Sequence, residues 1–160
     1  MRVRRLLPLA AVLAAGALRI AALLDARAVI TPDTFDYVRQ SRLPLASGAF
    51  WGSQHPPLLP LLWKPIPGLA TSLDPVRIGS LAPALLLDAV IAAACWGFLA
   101  LTLSSLARTV AGGWVVLAGV LAVSLAPEVT GWDSAGLSES RSLSLVALVL
   151  ALAVRYVRAP

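Results

Sequence analysis

The feature that most constrains this chain is a set of apolar runs that are too long and too free of charge for a soluble core. The first extends from Leu6 to Leu24, with Arg19 as its one charge. At ~1.5 Å per helical residue it measures about 28 Å, close to the ~30 Å hydrocarbon core of a bilayer. Comparable runs cover about 81–106, 110–127 and 140–157. The whole chain agrees with them: 59% of its 160 residues are hydrophobic, and the mean hydropathy is +0.84. A soluble domain of this length does not need so much apolar surface. The expected fold is an all-α polytopic membrane protein, with about four transmembrane helices forming a single membrane domain over residues 1–160.

Charge sets the expected orientation. There are 13 Lys and Arg residues against 8 Asp and Glu. In a soluble protein that excess would suggest nucleic acid. Here the basic residues sit mostly at the ends of apolar runs, so they read as topology signals, and no nucleic-acid partner is expected. The opening MRVRR keeps the N-terminus cytoplasmic and sends Leu24 outward. A cleaved signal peptide ending near Ala26-Arg27-Ala28 is the rival reading, disfavoured by Arg19 and by the length of the run. The stretch from Leu58 to Leu69 is apolar but a poor span. It is short and carries Pro60, Lys64, Pro65 and Pro67, whereas spans need roughly 17–25 residues with few interior prolines. It reads as a juxtamembrane or re-entrant helix on the outer face, anchored by Trp51 and Trp63. With this segment not crossing, Arg2, Arg4, Arg5, Arg108, Arg155 and Arg158 all fall on the cytoplasmic side. The expected location is the inner (plasma) membrane, multi-pass, with outer loops at about 25–80 and 128–139.

The polar residues of those loops are the candidates for chemistry. Thr31-Pro32 reads as an N-cap followed by proline at the first helical position. Asp33 and Asp36 then share one face of a short helix, with Phe35 and Tyr37 beside them. The only histidine, His55, and the only lysine, Lys64, lie further along the same loop. The second loop, EVTGWDSAGLSES, carries Glu128, Asp133 and Glu139. Carboxylates converging at a membrane surface can act as a general base or hold a divalent cation through oxygen ligands. The outward Arg and Lys residues can neutralise a phosphate. A lipid phosphate suits both features. Against this stands ordinary solvated loop polarity: Asp33 fits a helix N-terminus for its dipole alone, and His55 before Pro56-Pro57 can cap a turn. Asp88 lies within the second span, where an ionisable group is costly unless paired, and Arg19 is its expected partner. Gly112, Gly113 and Gly119 permit close helix approach. Cys95 is alone, which excludes an intrachain disulfide or a Cys metal site. No nucleophile elbow, P-loop or dinucleotide fingerprint is present, and one histidine with many serines does not make a triad.

Several short motifs occur in a telling order. The first span ends near Arg19. Then come Pro32-Asp33-Thr34-Phe35-Asp36-Tyr37, Ser47-Gly48 and His55-Pro56-Pro57-Leu58-Leu59-Pro60-Leu61-Leu62. Arg77 precedes the second span, Pro127 ends the third, and Ser138-Glu139-Ser140 opens the fourth. This order resembles the N-terminal part of the GT-C glycosyltransferases. More closely, it resembles bacterial relatives of the dolichyl-phosphate-mannose protein mannosyltransferase and lipid A aminoarabinose transferase group. The resemblance covers nearly all of the chain.

The resemblance implies a hexosyltransferase-type reaction at the cell envelope: transfer of a sugar, with inversion, from a polyprenyl-phosphate donor to an acceptor on the outer face. It maps the catalytic base onto Asp33. It implies substrate contacts from Asp36, Tyr37, His55, Lys64, Arg77 and Glu139, with His55 and the nearby cations lining the donor-phosphate site. It commits to no metal, although a divalent cation fits the carboxylates. Asp36 is not followed by the second acid of the eukaryotic protein mannosyltransferases, which points away from a protein acceptor. Members of the group usually have many more spans and often a C-terminal soluble domain. The chain is therefore expected to be an N-terminal fragment that works with the missing C-terminal part or with a partner membrane subunit. Two other readings stand beside this one. One is a non-catalytic small membrane subunit that binds a partner membrane protein. The other is a transporter fragment with Asp88 and Arg19 on its pathway.

Overall fold

The computed structural model describes residues 3–25, 29, 31–66, 82–135 and 138–158. Arg77 and the Ala26-Arg27-Ala28 stretch lie outside the described residues. The described residues are helical, without strands. In order they form α1 (Val3–Asp25), α2 (Pro32–Arg42), α3 (Gly48–Trp51), α4 (Leu58–Trp63), α5 (Ala82–Ser104), α6 (Val110–Ser124), α7 (Pro127–Ala135) and α8 (Ser138–Arg158).

Three described stretches are long and apolar enough to cross a bilayer: Leu6–Leu24, Pro83–Ser104 and Ser138–Arg158. The pair α6 and α7, bent by 43° at a short break, makes a fourth if it is one span. These are the expected apolar runs. The stretch 128–139, expected as an outer loop, is instead helical as far as Ala135. Pro127 starts α7 because a first-turn residue needs no N–H partner, and Glu128 beside it complements the positive end of the helix dipole. The segment from Leu58 forms only the short helix α4, far below spanning length.

Helix α5 is the centre of the bundle, packing against α1, α6 and α8. Half of its span is buried inside the protein, against 11% for α1 and 28% for α8. A helix apolar all round belongs in such a surrounded position. Helix α1 packs closely on α5. A Cβ at Gly97 would come within 2.5 Å of Val12 Cγ1, so only glycine lets the two backbones meet there. Of the glycines expected to permit close approach, Gly113 does so, since a Cβ there would meet the Ser104 carbonyl at the end of α5 at 3.2 Å, whereas Gly112 faces the turn before α6 and Gly119 faces open space. The large apolar residues left exposed lie mainly on the outer faces of α1, α6 and α8, as for helices that meet lipid.

A cluster of Tyr37, Leu59, Trp63, Ala84, Leu85 and Ala135 joins the short helices to the bundle. Trp63, expected as an interfacial anchor, is fully buried in this cluster. Its indole Nε1–H needs an acceptor there, and it points at both oxygens of Asp88 at 3.3 Å. Trp51 is 56% exposed, as an anchor would be.

Candidate functional site

Helix α2 is defined by its start. Thr31 Oγ1 accepts from the Thr34 backbone N–H, and Thr34 Oγ1 accepts from the Thr31 N–H, a reciprocal cap with Pro32 in the first turn. The helix buries Thr34, Tyr37, Gln40 and Ser41, which leaves Asp33, Asp36 and Arg39 on its outer face. Asp33 and Asp36 therefore share a face, as their spacing predicts, while Tyr37 turns inward to the core. Two hydrogen bonds fasten this region to α7. The Val29 N–H donates to the Ser134 carbonyl at 2.9 Å, and the Thr34 hydroxyl donates to the Ala135 carbonyl at 3.0 Å. The two acid-bearing connections thus meet at one end of the bundle.

After α2 the chain folds back over it. The Gln40 Nε2 donates to the Phe50 carbonyl at 2.7 Å, pinning α3 against α2. The Lys64 ammonium donates to the carbonyls of Ser41 and Leu43 at 3.0 and 2.5 Å, satisfying groups that the end of α2 leaves open. Lys64 also sits 5.6 Å from the Phe50 ring centre. Its charge is spent on α2.

Between α2 and the turn after α3 lies an open cavity of about 340 Å³. Asp36, Arg39 and Gln40 line one wall, and Ser53, Gln54 and His55 the other. His55 Nε2 lies 3.4 Å from Asp36 Oδ2, and its ring packs on Tyr37 at 4.9 Å between centres. Gln40 is 97% buried, and its Oε1 has no hydrogen-bond partner among the described residues. The cavity therefore offers an acid–imidazole pair, a cation and several amide and hydroxyl groups, with a volume near the lower end of small-molecule sites. Asp33 is exposed one turn away and does not line it. Glu139 is exposed at the start of α8, where Ser138 Oγ donates to its carboxylate at 3.4 Å.

The remaining charges are buried and paired differently from expectation. Arg19 does not meet Asp88. It grips Asp133 with Nε and Nη2 at 2.6 and 2.9 Å and donates from Nη1 to the Ser124 carbonyl at 2.7 Å. The Ser140 hydroxyl also donates to Asp133. Asp133, 2% exposed, is thus held away from the loop surface where the sequence suggested it. Asp88 instead forms an ion pair with Arg141 of α8, and the Arg141 guanidinium lies 5.9 Å from the Trp63 ring centre. Arg141 Nε and Nη1 have no hydrogen-bond partner among the described residues.

Among the described residues, no three His, Cys, Asp or Glu side chains gather as a metal site requires. The acids of the two stretches are held differently: Asp133 is buried against Arg19, while Asp36 is exposed beside His55. Sequence reasoning counted Arg39 only among the outward basic residues and missed Gln40. Their signal was the spacing of Asp36, Arg39, Gln40 and Leu43, which is one stripe of a helix. Compared with known proteins, the chain matches no family model, no curated protein and no solved structure.

Proposed function

We propose that this chain is part of a membrane glycosyltransferase that takes its sugar from a polyprenyl-phosphate donor, with the α2 end of the bundle on the outer face. The observation that carries this reading is the polar cavity between α2 and His55, at the end of a bundle of apolar helices. A lipid-borne sugar brings its head to such a place while its tail stays in the bilayer. The resemblance of the loop motifs supplies the donor class and the base.

In this reading Asp33 takes the proton from an acceptor hydroxyl. That oxygen attacks the anomeric carbon, the bond from that carbon to the phosphate oxygen breaks, and polyprenyl phosphate leaves. Asp36 and His55 hold the sugar, and Arg39 balances the phosphate charge. Asp36 lines the cavity and Asp33 does not, so Asp36 is the second candidate for the base.

The test uses membranes containing the natural gene product and a radiolabelled polyprenyl-phosphate sugar. Asp33→Asn is expected to lower donor turnover about 10²–10⁴-fold with expression unchanged. If Asp36→Asn causes that loss and Asp33→Asn does not, the base is Asp36. A wild-type protein that never consumes the donor rejects the reading. Orientation has its own check: cysteines at Leu45 and Glu128 should both label from outside. Labelling from opposite sides would reject the placement.

A further inference from the structure

The opposite end of the bundle carries a second cavity, of about 650 Å³, between the C-terminal turns of α5 and α8. Its walls have two characters. Phe98 and the half-exposed Leu152 make part of the wall apolar, while Thr102, Ser105, Arg155 and Arg158 supply hydroxyls and cations. The Arg155 guanidinium lies 5.3 Å from the Phe98 ring centre, which holds it over the cavity. Ser105 Oγ donates to the Thr102 carbonyl at 2.6 Å, leaving its oxygen free to accept.

The charge here is one-sided. The antiparallel packing of α1 on α5, with Val12 against Gly97 and Gly16 against Ala93, puts the start of α1 at this end. Arg4, Arg5 and Arg108 therefore belong to the same end as Arg155 and Arg158. No acidic residue occurs in 3–24, 89–127 or 140–158, the described segments that reach it. Partial charges of two helix C-termini attract these arginines but do not neutralise them. Positive-inside topology explains cations at this end. It does not explain an open cavity that places two of them beside hydroxyls and an apolar wall.

We infer that this cavity binds the headgroup of an anionic glycerophospholipid. Arg155 and Arg158 meet the phosphate, the Ser105 oxygen accepts from a headgroup hydroxyl, and the acyl chains run along Phe98 and Leu152. Guanidinium groups suit phosphate oxygens by geometry as well as charge. Basic pockets between transmembrane helices bind such headgroups. A free phosphate ion would use the arginines but gain nothing from the apolar wall, so the occupant is the lipid.

The test is native mass spectrometry of the full chain in detergent, titrated with phosphatidylglycerol, phosphatidylcholine or inorganic phosphate. Phosphatidylglycerol should bind with preference over phosphatidylcholine and weaken with added salt. Arg155→Gln with Arg158→Gln should weaken it roughly thirtyfold, at about fivefold per arginine near a membrane surface. Arg108→Gln, at the same end but outside the cavity, should leave it within about twofold. Where the double Gln variant does not fold, the Lys pair takes its place and should keep preferential but weaker binding, since charge remains while the planar fork is lost. Equal binding of the two lipids by wild type overturns the proposal, as does equal loss in Arg108→Gln. Inorganic phosphate competing as well as the lipid also overturns it.

Discussion

The two buried ion pairs at the α2 end of the bundle make an instructive comparison. Arg19–Asp133 is closed: all three guanidinium nitrogens are engaged, and Ser140 takes up further carboxylate capacity. Arg141–Asp88 is open: the charges meet, Trp63 adds an indole N–H to Asp88, and two guanidinium nitrogens have no hydrogen-bond partner among the described residues. Both bring a cation from one long helix to an acid on a neighbouring element. The closed pair also repairs the backbone, since Arg19 takes the Ser124 carbonyl where the break between α6 and α7 leaves it without a helical partner. The lesson is that equal burial does not mean equal function. The closed pair is a clasp across the 43° bend between α6 and α7. The open pair keeps donors in reserve beside Tyr37 and Trp63.

The largest expected effect comes from breaking the clasp. Asp133→Ala leaves Arg19 buried without a counter-charge and should cost about 3–5 kcal/mol, read as a lower thermal midpoint in detergent. Replacing both partners together, Arg19→Met with Asp133→Leu, should recover most of that loss. Asp88→Ala leaves Arg141 only its ring contact with Trp63 and takes the acceptor from the Trp63 indole N–H, so it should cost about as much, ~3–5 kcal/mol. A loss under ~1 kcal/mol would mean that Asp88 is not the counter-charge that holds Arg141. Lysine substitutions sharpen the same contrast. Arg19→Lys loses the two-point grip and the Ser124 carbonyl, about 1–2 kcal/mol, whereas Arg141→Lys keeps its single ion pair and should cost under ~1 kcal/mol. The smallest change is His55→Ala. Its contact with Asp36 is partly exposed, so stability should move by no more than ~0.5 kcal/mol. A large loss of stability there would mean that His55 is structural rather than part of a binding cavity.

Legibility followed the kind of force involved. The apolar runs were readable because bilayer thickness fixes how long a span must be, and 6–24, 81–106 and 140–157 meet that length. The α2 start was readable because Thr31, Pro32 and Thr34 act on neighbours within one turn. Helix α7 was hidden because GWDSAG carries residues common in loops, and its Asp133 is stable in a helix only with Arg19 beside it. The inward turn of Trp63 was equally hidden, because its acceptor, Asp88, lies on a different helix. Of the candidate site residues, Asp36 and His55 were recognisable by type, but their contact depends on how the chain folds back over α2 after Leu43. Lys64 looked free to bind phosphate until that same fold placed it on the carbonyls of Ser41 and Leu43.

The sequence by itself determined a chain of apolar helices, the start of α2 and which residues carry charge, because these depend on local pattern and on length. Only the tertiary structure decided which charge meets which. Arg19, Asp88, Asp133 and Arg141 all come to the same end of the bundle, and either arginine is a plausible partner for either acid along the chain. Helix packing chose between them: α8 lies along α5, bringing Arg141 to Asp88, and Arg19 on α1 is left to clasp Asp133 of α7.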